Sequence, residues 1–80
     1  MIDPALPTAD DLMAWRLESE PLRFISEKLR LKAMGPADHI RTKHEVKAFL
    51  ISGERSVAEE ILVRVRARLH AAQVAAIGRN

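Results

Sequence analysis

Residues 56–77 have the sequence SVAEEILVRVRARLHAAQVAAI, and this stretch decides the fold class of the chain. Apolar residues recur in it at alternating spacings of four and three, the pattern of a helix packed lengthwise against another helix. They are Ala58, Leu62, Val65, Leu69, Ala72 and Ala76. Ser56 and Glu59 match a capping box, and Gly78 is a typical helix end. The stretch predicts a helix over 57–77, about 30 Å long, as the spine of the domain.

Start and stop signals upstream predict three more helices. Thr8 can cap a first helix, and Pro21 favours the first turn of a second. Gly35 ends that second helix before a proline opens a third, and Gly53 follows the end of the third. The predicted spans are 9–18, 20–34 and 37–52. No alternating β-branched run or Asn-Gly turn indicates a sheet, so we expect an all-α, four-helix domain.

Length and composition predict the size, charge distribution and location of this domain. We expect an extended leader over 1–7 and a single domain over 8–80, whose core is thin because the chain has only 80 residues and no cysteine. Residues 1–20 carry five acids and one arginine, a net charge of −4, whereas residues 21–80 have twelve Lys or Arg and six acids, a net charge of +6. No secretory signal or membrane-length apolar run is visible, so we expect a cytoplasmic protein.

Two of the predicted helices have apolar residues on a second side. In the last helix Val63, Ala67, Val74 and Ile77 form a second stripe, interrupted by His70. In the second helix Phe24 and Leu31 lie opposite the main apolar side. Four short helices can hardly cover both sides of two of their number, so the pattern predicts a homodimer that shares one of these surfaces.

The surplus apolar surface favours a non-enzymatic protein–protein interaction module, such as an adaptor, inhibitor or assembly factor. Trp15 adds a bulky anchor of the kind that dominates protein interfaces. The candidate interface residues are Trp15, Phe24, Leu31, Val63 and Val74. The abundance of Ala, Arg and Val is typical of a bacterial or phage protein from a GC-rich genome.

A small DNA-binding regulator is the alternative interpretation. The second and third helices, joined at Gly35, could form a helix-turn-helix whose second helix enters the major groove. Its candidate contacts are Arg41, Lys43, His44 and Lys47 on the helix over 37–52. These cations could equally form an ordinary solvated helix face.

Catalytic, metal and cofactor sites are not indicated by the sequence. His39 and His44 lie about 140° apart around a helix, which does not suit shared metal ligation. No phosphate-binding glycine loop or nucleophile elbow is present, and the serines occupy positions typical of helix ends. We therefore expect no enzyme, no cofactor, no small-molecule substrate and no membrane partner.

Overall fold

The computed structural model describes residues 5–78 and shows a small all-α domain with four α-helices, as predicted. The helices are α1 (Ala9–Trp15), α2 (Pro21–Lys28), α3 (Pro36–Ser52) and α4 (Arg55–Ile77), with a 3-10 helix over Leu31–Ala33. No strand occurs in this range, and none of its helices is long and apolar enough to cross a membrane. The predicted leader lies partly outside the described residues, and residues 5–7 belong to no helix.

The start of α1 confirms one predicted cap, whereas the start of α4 corrects another. Thr8 and Asp11 form a reciprocal capping box, in which each side chain accepts the other's backbone N–H at 3.2 and 2.9 Å. The predicted box between Ser56 and Glu59 does not form, because α4 begins at Arg55, one residue before Ser56. Gly53 closes α3 in the left-handed conformation and Glu54 takes the N-cap position of α4, so Ser56 lies inside the first turn and not at the cap.

The second helix ends earlier than predicted. It stops at Lys28, Arg30 adopts a left-handed backbone with φ of 59°, and the 3-10 helix follows. In an uninterrupted helix Leu29 and Leu31 would lie about 160° apart, so only one could face the core. The break turns both inward together with Met34, and all three are buried. Burial of these side chains therefore overrides the local preference for a longer helix.

The core lies where α4 packs against α1 and α3, while α2 packs against α3 and α1. On α4 the predicted seam holds as far as Leu69, because Ala58 and Val65 are fully buried and Leu62 and Leu69 are partly buried against the core. Ile61, which the predicted seam omitted, is also fully buried, and Ala76 is exposed. Every residue from 73 to 78 is exposed. The last turns of α4 thus lie outside the core, and the molecule is 42 Å long but only 25 and 22 Å across.

Candidate functional site

The outward-facing side of α4 has a regular apolar stripe, here called the outer stripe. Its members are Val63, Ala67, His70, Val74 and Ile77, which follow one another at spacings of four, three, four and three. The three large aliphatic side chains are 69%, 52% and 66% exposed in chain order. This is the heptad spacing of a two-helix contact, and no other described helix covers it. The structure therefore brings two of the predicted interface residues, Val63 and Val74, onto one exposed surface.

The other three interface candidates have different surroundings. Trp15 and Phe24 pack edge to face with ring centroids 5.3 Å apart, and the Lys28 ammonium lies over both rings. Both rings are half-buried, so this pair mainly joins α1 to α2. Leu31 is only 1% exposed and offers no surface to a partner, which corrects its assignment. The early end of α2 is the cause, because it turns Leu31 into the core.

Some exposed apolar residues were missed by the sequence analysis. Leu17 and Ile51 are 86% and 87% exposed, and Ile40 on α3 is also exposed. No sequence signal separates them from core residues, since their exposure depends on which side of each element faces its neighbours. Single exposed apolar side chains are common in soluble domains. Ile51, on α3, is therefore a suitable matched control for the outer stripe.

The predicted nucleic-acid residues are only partly brought together. Lys43, His44 and Lys47 are all exposed on α3, with Lys43 and Lys47 one turn apart. Arg41 lies about 160° around the helix from Lys43 and makes an ion pair with Asp38 at 3.6 Å. Lys43 and Lys47 thus share one side of α3, whereas His44 lies about 100° from Lys43, between that side and the flank of Arg41.

A basic groove runs between α2, the 3-10 helix and α3, on the same side as Lys43. It has a volume of about 520 Å³. It is lined by Leu22, Arg23, Ser26, Glu27, Arg30, Leu31, Lys32, His39 and Lys43. The acidic lining residue, Glu27, is already paired with Arg23 at 3.4 Å. The groove therefore carries a positive excess, and Arg30 and Lys32 in it were not among the predicted contacts.

The contact between α3 and α4 contains a polar network that stabilises the fold. Arg68 donates from Nη1 to Thr42 Oγ1 at 2.7 Å and to Glu45 Oε1 at 2.6 Å, and from Nη2 to Glu45 Oε2 at 3.0 Å. The hydrogen bonds to Glu45 raise the pKa of Arg68, although burial acts in the other direction. Both carboxylate oxygens of Glu45 and the Thr42 hydroxyl are thus bonded to Arg68, and the network joins the two helices.

The described residues hold no candidate metal site, and comparison with known proteins indicates no further site. Within residues 5–78 no group of three or more His, Asp or Glu side chains could hold a metal ion. No family model matches the chain, and neither a curated protein nor a solved structure shows significant similarity to it. The outer stripe and the basic groove are therefore the observations from which function is argued.

Proposed function

We propose that this protein is a non-enzymatic protein–protein interaction module that forms a homodimer through the outer stripe of α4. The observation that carries the proposal is the heptad spacing of Val63, Val74 and Ile77, each more than half exposed. Scattered apolar residues on a surface need no explanation, but a continuous stripe at the spacing of a helix seam is typical of an interface.

A second copy of the same chain is the occupant that this geometry suits best. When two α4 helices pack antiparallel, Val63 of one copy faces Val74 of the other, and the small Ala67 faces the larger His70. The contact is then self-complementary about a two-fold axis, as symmetric dimers require. Antiparallel packing also opposes the two helix dipoles, which favours it over parallel packing.

The size of the stripe predicts a weak dimer. Over residues 63–77 it is about 22 Å long and 10 Å wide on each copy. The stripe alone is therefore about 440 Å² in total, below the about 1,200–2,000 Å² of standard specific interfaces, so flanking side chains of α4 must add to the contact. We therefore expect a dissociation constant in the micromolar range, so that the dimer responds to protein concentration. The half-buried pair of Trp15 and Phe24 is then the candidate contact for a different protein partner.

The oligomeric state tests this proposal. Sedimentation velocity or light scattering at tens of micromolar should show a dimer for the wild type and a monomer for Val63→Glu and for Val74→Glu. Ile51→Glu is the matched control, because Ile51 is at least as exposed but lies on α3. It should remain dimeric, and circular dichroism should show that all variants stay helical. A wild-type monomer at this concentration would exclude the homodimer.

A further inference from the structure

We infer that the basic groove between α2, the 3-10 helix and α3 binds the phosphate backbone of a nucleic-acid duplex. This activity is separate from dimerisation, since the groove and the outer stripe share no residue. Arg30, Lys32 and Lys43 supply the positive charge, and none of them forms an ion pair with another residue of 5–78. Unpaired cations along a groove are the usual means of holding phosphates.

The acids of α3 lie on a different side of the helix from Lys43. Asp38 and Glu45 point to the α4 flank, where they are bound to Arg41 and Arg68. Lys43 lies on the groove side, where Glu27 is the acid present and is paired within α2. The positive charge of the groove is therefore not neutralised by its own walls. A polyanion approaching from this side meets cations first.

Arg30 has a backbone conformation that a side chain rarely adopts. Its φ of 59° places it in the left-handed region, at the end of a helix where glycine is the usual residue. Arg30 thus occupies a position where glycine would have less backbone strain. Strain of this kind is concentrated at functional positions, and here the strained residue is an arginine that lines the groove.

The Ser26 hydroxyl is a second indication of a ligand in the groove. Ser26 lines the groove, and its hydroxyl oxygen is buried with no hydrogen-bond partner within residues 5–78. Buried hydroxyl groups are nearly always paired, so this unpaired one leaves a hydrogen-bond donor for an anion that enters the groove wall.

The lining also indicates which nucleic acid is bound. No Phe, Tyr or Trp lines the groove and His39 is its one aromatic ring, whereas proteins that bind single strands stack successive bases on several aromatic rings. The groove therefore suits the regular backbone of a duplex better than unpaired bases. Because cations without base-reading partners recognise phosphates and not sequence, binding should be largely independent of sequence and strongly dependent on salt.

Fluorescence anisotropy with a labelled duplex of about 20 base pairs tests the inference across 50–200 mM salt. Three phosphate contacts predict that the logarithm of the affinity falls with the logarithm of salt with a slope of about −2.7. Arg30→Gly should weaken binding roughly fivefold or more and reduce the slope by about one. Its melting temperature should be no lower than that of the wild type, because glycine relieves the left-handed backbone.

Lys28→Gln is the charge-matched control. Lys28 is the last residue of α2, two positions before Arg30, but its ammonium lies over the rings of Trp15 and Phe24 and it does not line the groove. This variant should keep wild-type affinity and slope. Equal losses of duplex affinity in Lys28→Gln and Arg30→Gly would show a general effect of net charge and would overturn the groove as the binding site. Absence of salt-sensitive binding at micromolar protein, or binding of a polyglutamate peptide in preference to the duplex, would overturn the inference as well.

Discussion

Removing Glu45 should destabilise the domain far more than removing an acid from an ordinary surface ion pair. Its carboxylate accepts two hydrogen bonds from Arg68, whose side chain is 12% exposed, and its own side chain is 20% exposed. Glu45→Leu leaves the guanidinium with Thr42 as its remaining hydrogen-bond partner. A charge left unpaired in such surroundings is strongly unfavourable.

The expected magnitude follows from this partial burial. Breaking a fully buried pair costs about 3–5 kcal/mol, and an exposed pair contributes about 0–1 kcal/mol. Because both side chains keep some contact with solvent, we expect Glu45→Leu to lower the free energy of unfolding by about 2–3 kcal/mol. A domain of this size has a total of roughly 4–12 kcal/mol, so the loss is large.

Urea denaturation at one fixed protein concentration measures this change, since dimer formation would make stability depend on concentration. The double variant Glu45→Leu with Arg68→Met should recover to within about 1 kcal/mol of the wild type, because no buried charge remains. Glu27→Leu is the control, as its pair with Arg23 is exposed on both sides. A loss below about 0.5 kcal/mol for Glu45→Leu, equal to that of Glu27→Leu, would refute this reasoning.

Two glycine substitutions probe the backbone, and a third substitution probes stability at acid pH. Gly53→Ala should destabilise the domain by about 1–2 kcal/mol, because φ is +67° and the new Cβ would lie 2.6 Å from the Arg16 guanidinium. Gly35→Ala, with open space around it, should be neutral or slightly stabilising in the same melts. The hydrogen bond to Arg55, with its charge, lowers the pKa of Asp10 below 3.8, so their contact stabilises above that pH and is lost as pH falls further. Asp10→Asn should therefore be less stable than the wild type at neutral pH and equally stable at about pH 2. A difference in stability that persists in acid would exclude the ion pair with Arg55 as its cause.

Local sequence was sufficient at two helix boundaries that depend on residues next to them. Gly53 at the end of α3 and Thr8 at the start of α1 act through backbone conformation and a nearby side chain, and both were predicted correctly. The outer stripe was also visible in the spacing of Val63 and Val74, because helical periodicity alone places them on one side. Which side of α4 stays uncovered required the positions of α1 and α3.

Long-range packing decided the features that the sequence analysis missed. A continuous helix through Leu31 satisfies every local preference, yet only a break at Arg30 buries the apolar residues on both sides of it. That break creates the left-handed arginine and brings it beside α3, so neither the groove nor the role of Arg30 follows from spacing. Periodicity thus determined the helices and the outer stripe, whereas the tertiary structure determined where one helix must stop, because burial of apolar side chains outweighs the strain of a single residue.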